Sequence, residues 1–539
     1  MKKISGNIVD VVNDEIYQGT IFIENNKISD IKIGKTDCKN YILPGLIDAH
    51  VHVESSMLIP SEFARLAVTH GTVASVSDPH EIANVLGIDG VKYMIDNGKK
   101  VPFKFFFGAP SCVPATPFET SGAILGPDEI EKLLKLDDIK YLAEMMNFPG
   151  VLFKDENVIK KINIAKKYNK VVDGHAPGLK GEDAAKYAAA GISTDHECFT
   201  IEEALDKIKA GMLIEIREGS AAKNFEALVD LIKDYPDKIM FCSDDKHPND
   251  LVKGHINSLI KRSINKGFDP LTVIKICTYN PVKHYNLEVG LLQKNDFADF
   301  IIVDDLKNFN VLKTYINGEK VAENNISLID SVNESTPNLF NASEISEDDI
   351  QIKAESDTAK VIKAFDGQLI TEEIDIKPKV VNNYIQCDTD NDILKIVVMN
   401  RYSKAKPSVA LINNFSLKKG AIASTVAHDS HNIIAVGTSD KDIVKAINIL
   451  VKNKGGISLV NDNEEISLPL PVAGIMSNKD AYYIAEKYED IDRKAKELGT
   501  KLSAPYMTLS FMALLVIPEL KLSDKGLFDG KKFEFTSVC

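Results

Sequence analysis

The chain has 539 residues, of which 44% are hydrophobic and 26% charged, so it carries enough apolar material for about three folded domains. Its formal net charge of −14 argues against nucleic acid or an anionic membrane as the main partner. No stretch approaches the ~18 consecutive apolar residues of a membrane-spanning helix, and no apolar run follows the first lysines as in a signal peptide. The 7 cysteines are dispersed as in proteins with reduced thiols, so we expect a cytoplasmic protein.

The first 43 residues alternate apolar runs with turns, as in GTIFIENNKISDIKIG, and predict β-hairpins. Between residues 44 and 285, short apolar runs alternate with helical patterns, which is the rhythm of a (β/α)8 TIM-like barrel. The runs are LPGLIDAHVHVE, GTVASVSDP, VPFKFFFGAP, IKYLAEMMN, KVVDGHAP, GISTDHE, GMLIEIREGS and KIMFCSDD. An open doubly wound sheet is the alternative, but no glycine-rich dinucleotide fingerprint follows an early run.

Strand-like patterns return over residues 286–331, with Asn317-Gly318 as a hairpin turn. We expect this segment and residues 1–43 to build one small β-sandwich domain beside the barrel of residues 44–285. Residues 332–349 are polar and predict a linker. Residues 350–539 predict an additional C-terminal domain of α/β or α+β type.

Six side chains that can bind metal ions fall at the ends of runs predicted as strands: His50, His52, Glu144, His175, His196 and Asp244. Barrel enzymes keep their active sites at the carboxyl ends of the strands. His50 and His52 lie two residues apart on one strand, so both point to one face and can bind one ion. An isolated His-x-His pair is weak evidence, but the shared position of all six side chains predicts a metal centre.

The segments PGLIDAHVHVE, GHAPG, DHE and FCSDD resemble the amidohydrolase superfamily. The resemblance implies a metal-bearing barrel flanked by a small β-sandwich. In many binuclear members a carboxylated lysine at the end of strand four bridges two metal ions. Here Lys140 precedes that position and Lys154 lies well beyond it, and Glu144 stands in its place. A carboxylate can bridge two divalent ions through its two oxygens.

Longer segments resemble one family of this superfamily, the adenine deaminases, over nearly the whole chain. These are HVHVESSML, SDPHEIANVLG, AEMMNFPGV, GHAPGL, IREGS, SDDKHP, AHDSHNIIAVGTSD and LSFMALLVIPELKLSDKGLFD. The resemblance implies hydrolysis of adenine to hypoxanthine and ammonia in purine salvage, with two divalent metal ions. We expect Mn²⁺, with Fe²⁺ or Zn²⁺ as alternatives. We further expect adenine as the small-molecule partner, no nucleic-acid or membrane partner, and a homo-oligomer.

In this interpretation His50 and His52 hold one ion, His175 and His196 hold the other, and Glu144 bridges them. Asp244 binds metal and accepts the proton of the attacking hydroxide, which two cations make available near neutral pH. Asp245 is the rival for this role, and Asp244 is preferred because it comes first at the strand end.

Attack at C6 of adenine requires a proton or a strong hydrogen bond at N1 of the ring. Glu182 and Glu218 are the candidate catalytic carboxylates, each balanced against a role as a solvated surface group. Arg217, Ser220, His80 and His247 are candidate substrate-binding residues, each balanced against a purely structural role. His428 and His431 form a further pair that closes over the pocket, binds another ion, or caps a turn, and the sequence leaves these three possibilities open.

Two alternative functions are kept. One is another amidohydrolase acting on a different heterocycle or a cyclic amide, although the bridging lysine expected of hydantoinases and dihydroorotases is missing. The other is a metal-free structural assembly protein, which requires eroded ligands, whereas all six are present here.

Overall fold

The computed structural model describes residues 1–539 and begins with four strands, of which the first three pair antiparallel and the fourth pairs parallel with the first. These are β1 (Lys2–Asp10), β2 (Glu15–Glu24), β3 (Lys27–Ile33) and β4 (Tyr41–Pro44). In β2 the buried side chains alternate with exposed ones, so one face of the strand packs inward and the other meets solvent.

Eight parallel strands follow: β5 (Leu46–Val51), β6 (Thr72–Ser77), β7 (Lys104–Ala109), β8 (Ile139–Met145), β9 (Val172–Gly174), β10 (Thr194–Asp195), β11 (Leu213–Arg217) and β12 (Ile239–Cys242). They form two parallel sheets in chain order, β5 to β9 and β10 to β12. Parallel bridges from Val172 to Ile192 and from Val51 to Asp244 join the sheets on both sides. Every residue of β5, β6 and β12 is buried, as expected for parallel strands covered by helices. This arrangement fits the predicted TIM-like domain.

Helices connect and cover these strands, as the alternating sequence pattern predicts. They are α1 (Pro60–Ala67), α2 (His80–Leu86), α3 (Ile88–Gly98), α4 (Pro127–Leu134), α5 (Phe148–Leu152), α6 (Glu156–Lys167), α7 (Gly181–Ala189), α8 (Ile201–Lys209), α9 (Phe225–Leu228), α10 (Pro248–Lys253), α11 (Ile256–Asn265), α12 (Pro270–Ile276) and α13 (Tyr279–Tyr285). None of the helices is both long enough and apolar enough to cross a membrane.

The chain then returns to the N-terminal strands through β13 (Phe300–Val303), β14 (Val311–Ile316), β15 (Glu319–Glu323) and β16 (Ile326–Ser327). Strand β13 pairs with β4, so both flanks of the barrel share one eight-stranded sheet with the order β16-β15-β14-β13-β4-β1-β2-β3. The two flanks, which the sequence predicted to form one β-sandwich domain, are therefore joined by hydrogen bonds into a single sheet. The domain limits drawn from the sequence stay a prediction.

The predicted linker carries no strand, and its only helical turn is a short 3-10 turn at Glu347–Ile350. It lies against both halves of the protein. Ser335 accepts a hydrogen bond from Tyr93 of the barrel at 3.1 Å, and Pro337 accepts one from Ala473 at 2.7 Å. The segment is therefore held along its path by backbone contacts.

The C-terminal half combines a mixed sheet with three helices. Its elements are β17 (Ala359–Lys363), β18 (Glu372–Ile376), β19 (Lys379–Val381), β20 (Tyr384–Gln386), β21 (Leu394–Met399), β22 (Ser408–Asn413), β23 (Ala421–Ser424), β24 (Ile433–Gly437), α14 (Asp440–Asn453), β25 (Ile457–Val460), β26 (Glu465–Leu468), α15 (Ala481–Glu497), α16 (Pro505–Phe511), β27 (Leu520–Ser523), β28 (Gly526–Asp529) and β29 (Glu534–Thr536). The main sheet has the order β18-β17-β22-β21-β24-β23-β25-β26. The loop between β23 and β24 reaches the barrel mouth.

Candidate active site

Strand β5 ends in two histidines that face one another and the loop after β12. The Nε2 atoms of His50 and His52 lie 3.2 Å apart, and Oδ1 of Asp244 lies 3.2 Å from Nε2 of His52. Nδ1 of His52 hydrogen-bonds the backbone carbonyl of Asp78 at 3.1 Å, which leaves Nε2 free to bind an ion. Two imidazole nitrogens and a carboxylate oxygen that converge in this way form a donor set suited to a divalent transition metal.

The backbone holds Asp244 in this position. Its amide nitrogen donates to the carbonyl of His50 at 2.9 Å, which ties the end of β12 to the end of β5. Asp244 has a φ of 52°, in the left-handed region that residues other than glycine rarely adopt. This local strain turns the side chain toward the histidines, whereas Asp245 turns toward Ser55, whose Oγ atom lies 2.6 Å from Oδ1 of Asp245.

A second group of ligands comes from the ends of β8, β9 and β10. Oε2 of Glu144 lies 2.8 Å from Nδ1 of His175 and 3.1 Å from Nε2 of His196. Oε1 of the same carboxylate lies 3.4 Å from Nε2 of His52. The two oxygens of Glu144 thus face the two ligand groups. Lys140 and Lys154 are exposed, so neither lysine contributes to this cluster.

Strong electrostatic coupling sets the charge of the cluster. Burial alone would raise the pKa of Glu144, but His175 and His196 hold it well below its ordinary value. Burial alone would lower the pKa of His175, but Glu197 and Glu144 raise it to about 9. Without a bound cation His175 therefore carries a proton, whereas burial and His50 lower the pKa of His196. A divalent ion that binds to His175 must displace this proton.

Arg217, at the end of β11, joins two carboxylates beside the cluster. Its Nη1 atom donates to Oδ2 of Asp244 at 2.6 Å and to Glu197, and Nη2 donates to Oε2 of Glu197 at 3.1 Å. Burial opposes the charge of Asp244, but Arg217, with His50 and His52, holds its pKa well below the ordinary value. Glu197 was missed by the sequence analysis, although it follows His196 directly. A carboxylate directly after a predicted metal ligand, as in the segment Asp195-His196-Glu197, is the signal that could have identified it.

His80 begins helix α2 and closes one side of the cluster. Nδ1 of its ring lies 3.1 Å from Oδ2 of Asp78 and 3.4 Å from Oε1 of Glu144. Its Nε2 atom lies 3.6 Å from Oδ1 of Asp429, a residue of the C-terminal half. The predicted position of His80 at the barrel mouth thus brings it among the ligand residues.

The C-terminal half forms the cover of a small cavity above the cluster. The barrel and the C-terminal half both contribute to its wall, which consists of His52, His80, Glu144, Met146, His175, His196, Glu197, Arg217, Asp244, Asp245, Leu369, His428, Asp429, Phe511 and Leu514. Phe511 stacks on His428 with ring centroids 4.7 Å apart. Asp429 is buried, and its Oδ2 atom has no hydrogen-bond partner. Closure over the pocket was one of three roles that the sequence left open for His428 and His431. Nothing in the sequence indicated Asp429 or Phe511, because local patterns carry no information on contacts between distant segments.

Four of the candidate residues lie away from this cavity. Glu182 is exposed in the first turn of α7. Glu218 pairs with Arg262 at 2.8 Å, so its carboxylate serves a salt bridge beside the barrel. Ser220 and His247 line a different cavity. There the hydroxyl of Ser220 donates a hydrogen bond to Asp250 at 2.7 Å and accepts one from the backbone nitrogen of His247 at 2.9 Å. The structure does not bring these four residues to the ligand cluster. Arg217 does reach it, but its donors meet carboxylates and the carbonyl of Ala222.

Comparison with known proteins divides the chain in the same way as its architecture. Residues 41–321 match the amidohydrolase family, and residues 368–534 match the adenine deaminase C-terminal domain. Similar proteins include the adenine deaminase of Sulfurovum sp. (strain NBC37-1), 57% identical over 100% of this chain and 99% of the relative. The adenine deaminases of Methanosarcina mazei and Parabacteroides distasonis are 52% and 46% identical, over 100% and 99% of this chain and 99% and 98% of their own. On the match of both halves and the identity along its whole length, the chain belongs to the adenine deaminase family.

Proposed function

We propose that this protein is a hydrolase that converts adenine and water to hypoxanthine and ammonia, a reaction of purine salvage. The observation that carries the proposal is the cluster of six metal-competent side chains directly beneath a covered cavity. Similarity to adenine deaminases along the whole chain supports adenine as the substrate. Fold alone would not justify this assignment, because related barrels catalyse different reactions.

The donor set supports two divalent ions, with Mn²⁺ as the expected metal. His50, His52 and Asp244 would hold one ion, and His175 and His196 the other, with one oxygen of Glu144 facing each group. Mixed imidazole and carboxylate ligands suit Mn²⁺, Fe²⁺ and Zn²⁺. Ions bound there would supply polarisation that makes water acidic enough to act as a nucleophile near neutral pH.

Asp244 is the base in this proposal. Its Oδ1 atom faces the histidines, and Oδ2 is fixed by Arg217, so its carboxylate is ionised and oriented before substrate arrives. It accepts the proton released as water attacks C6 and passes it to the leaving amino group.

The cavity has a volume of about 20 Å³, enough for little more than one water molecule, so the cover must move to admit a purine. Its wall offers both apolar and polar contacts for the ring. Met146, Leu369, Phe511 and Leu514 supply apolar surface for the flat ring. The unpaired Oδ2 of Asp429 is a buried acceptor, and adenine carries N–H donors on its imidazole ring and its amino group. We assign Asp429 to purine recognition. Glu182 and Glu218, the candidate catalytic carboxylates, lie outside the cavity.

A substrate screen with Mn²⁺-loaded protein tests the proposal. Ammonia release and the change in ultraviolet absorbance are followed for adenine, guanine, adenosine, hydantoin and dihydroorotate. We expect turnover of adenine that is lost after chelation and restored by Mn²⁺. Hydrolysis of a cyclic amide without deamination of adenine would contradict the proposal.

A further inference from the structure

A second cluster of metal-competent side chains lies outside the six ligands, where the C-terminal half meets the barrel. Glu81 of α2, Asp245 after β12 and His428 of the C-terminal half each place a ligand atom within 4.8 Å of the others. His428 is 3% exposed, and its Nε2 atom has no hydrogen-bond partner. Oδ1 of Asp245 lies 3.9 Å from this Nε2 atom. The cluster thus contains a buried, unpaired imidazole nitrogen that faces Asp245, and Oε1 of Glu81 lies 3.7 Å from Nδ1 of the same ring.

Ser55 lies between two carboxylates of this cluster, and burial raises the pKa of one of them, Glu81. Its Oγ atom lies 2.6 Å from Oε1 of Glu81 and 2.6 Å from Oδ1 of Asp245. A hydroxyl has one proton, so it can donate to only one of two carboxylates. The other close contact requires a shared cation or a protonated acid.

His431 lies on the other side of Glu81. Its Nδ1 atom accepts a hydrogen bond from the backbone nitrogen of Ala427 at 3.2 Å, so the neutral ring carries its proton on Nε2. That Nε2 atom lies 3.5 Å from Oε2 of Glu81 without forming a hydrogen bond, while Oε1 faces Ser55. Polar groups next to a ligating carboxylate are typical of the outer shell of metal sites. Stacking on Phe511 likewise fixes the ring of His428.

We propose that Glu81, Asp245 and His428 form a third divalent-cation site, separate from the six-ligand cluster, that fastens the C-terminal half to the barrel mouth. One imidazole nitrogen and carboxylate oxygens suit a transition ion such as Mn²⁺ or Zn²⁺. Donor atoms bound to one such ion are at most about 4.4 Å apart, since each bond is about 2.0–2.2 Å long. The observed separations need only a small contraction around the ion.

Metal stoichiometry of the full chain tests this site without reference to activity. Protein is stripped with chelator, loaded with Mn²⁺, desalted and analysed by inductively coupled plasma mass spectrometry. We expect three ions per wild-type chain, and two in both H428A and E81Q. H247A is the matched control, because His247 is a buried histidine that packs on Tyr488 of the C-terminal half and lies outside both clusters. It should keep three ions.

The outcomes are distinguishable. Two ions in the wild type and no loss in H428A or E81Q would overturn the site, and a protonated carboxyl would then explain the contacts of Ser55. Loss of all metal in H428A, with folding verified by circular dichroism and gel filtration, would mean one shared cluster and would also overturn it. Because E81Q removes charge with little change in shape, it decides the question if H428A fails to fold. A third ion in protein that does not deaminate adenine would leave this inference intact.

Discussion

Arg217 donates a hydrogen bond through Nη1 to Oδ2 of Asp244 at 2.6 Å, and the same guanidinium group donates to Glu197. The residue that the sequence suggested for purine binding therefore acts on the proposed base. Its charge is one reason that the pKa of Asp244 lies well below its ordinary value. Arg217 is thus a positioning residue, and its removal should change how activity depends on pH.

We expect R217M to reduce kcat on the order of 10²-fold, with a smaller change in KM, because a buried electrostatic contact to the base is lost. Without the guanidinium the pKa of Asp244 rises. As pH is lowered, the carboxylate therefore becomes protonated at a higher pH than in the wild type. The acid limb of the kcat profile should therefore move to higher pH. R217K should shift the limb less, since it keeps the charge but loses the two-pronged contact.

The control for this prediction is R262M, because Arg262 is partly exposed and pairs with Glu218 and Glu226 away from the cavity. Its kcat profile should match that of the wild type. An acid limb that stays in place in R217M, at normal metal content, would show that Arg217 does not set the charge of Asp244.

Replacing Asp244 by asparagine should nearly abolish adenine deamination while the protein remains folded. The amide keeps one oxygen near the histidines but cannot accept a proton, and loss of a general base costs ~10²–10⁴ in rate. D250N is the matched control, since Asp250 also follows β12 but accepts from Ser220 in the other cavity. Ammonia release and metal content are measured together. Substantial turnover in D244N would assign the base elsewhere.

Glu144 should matter more for metal retention than either nearby lysine. E144Q removes a negative charge between the two ligand groups, so at least one ion should be lost on desalting. K140A and K154A should retain their ions, because both lysines are exposed. Metal analysis of the three variants checks this. Loss of metal in K154A with retention in E144Q would mean that the bridging group is misassigned.

Lys521 makes stability depend on pH above neutrality. It is buried without an acidic partner, donates to the carbonyls of Leu369 and Phe511, and burial lowers its pKa to about 7. The unfolded chain therefore binds more protons between pH 7 and its ordinary pKa, and stability should rise with pH in that range. The slope from one such group is at most about 1.4 kcal/mol per pH unit.

Melting temperatures of the wild type and K521M between pH 7 and 9.5 test this prediction. The rise with pH should be smaller in K521M, which cannot bind the proton. K525M is the control, because Lys525 lies on the same hairpin with its ammonium group at the surface. Parallel curves for wild type and K521M would contradict the lowered pKa of Lys521.

The ligand cluster could be anticipated because it depends on local pattern. Parallel strands deliver the residues at their carboxyl ends to one place, so His50, Glu144 and His196 meet although they are far apart in sequence. The left-handed turn at Asp244 could not be anticipated, since aspartate rarely adopts it. Nor could the sequence assign Arg217, because the partner of a buried guanidinium is decided by packing.

The contribution of the C-terminal half was the part least accessible to sequence reasoning. His428 and Asp429 sit in a loop whose contacts join segments hundreds of residues apart, and no periodicity reports such contacts. The sequence identified the histidine pair as unusual and left its role open. The structure brings it to the cavity wall, where Phe511 also lies.

The order in which these parts emerge from the ribosome affects how the protein meets its metals. The six barrel ligands are all synthesised once Asp244 is made, whereas Phe511 of the cover follows roughly 270 residues later. At ~5–20 residues per second this gap lasts on the order of 15 to 50 seconds. For that time the candidate ligands exist without the residues that cover them in the finished cavity.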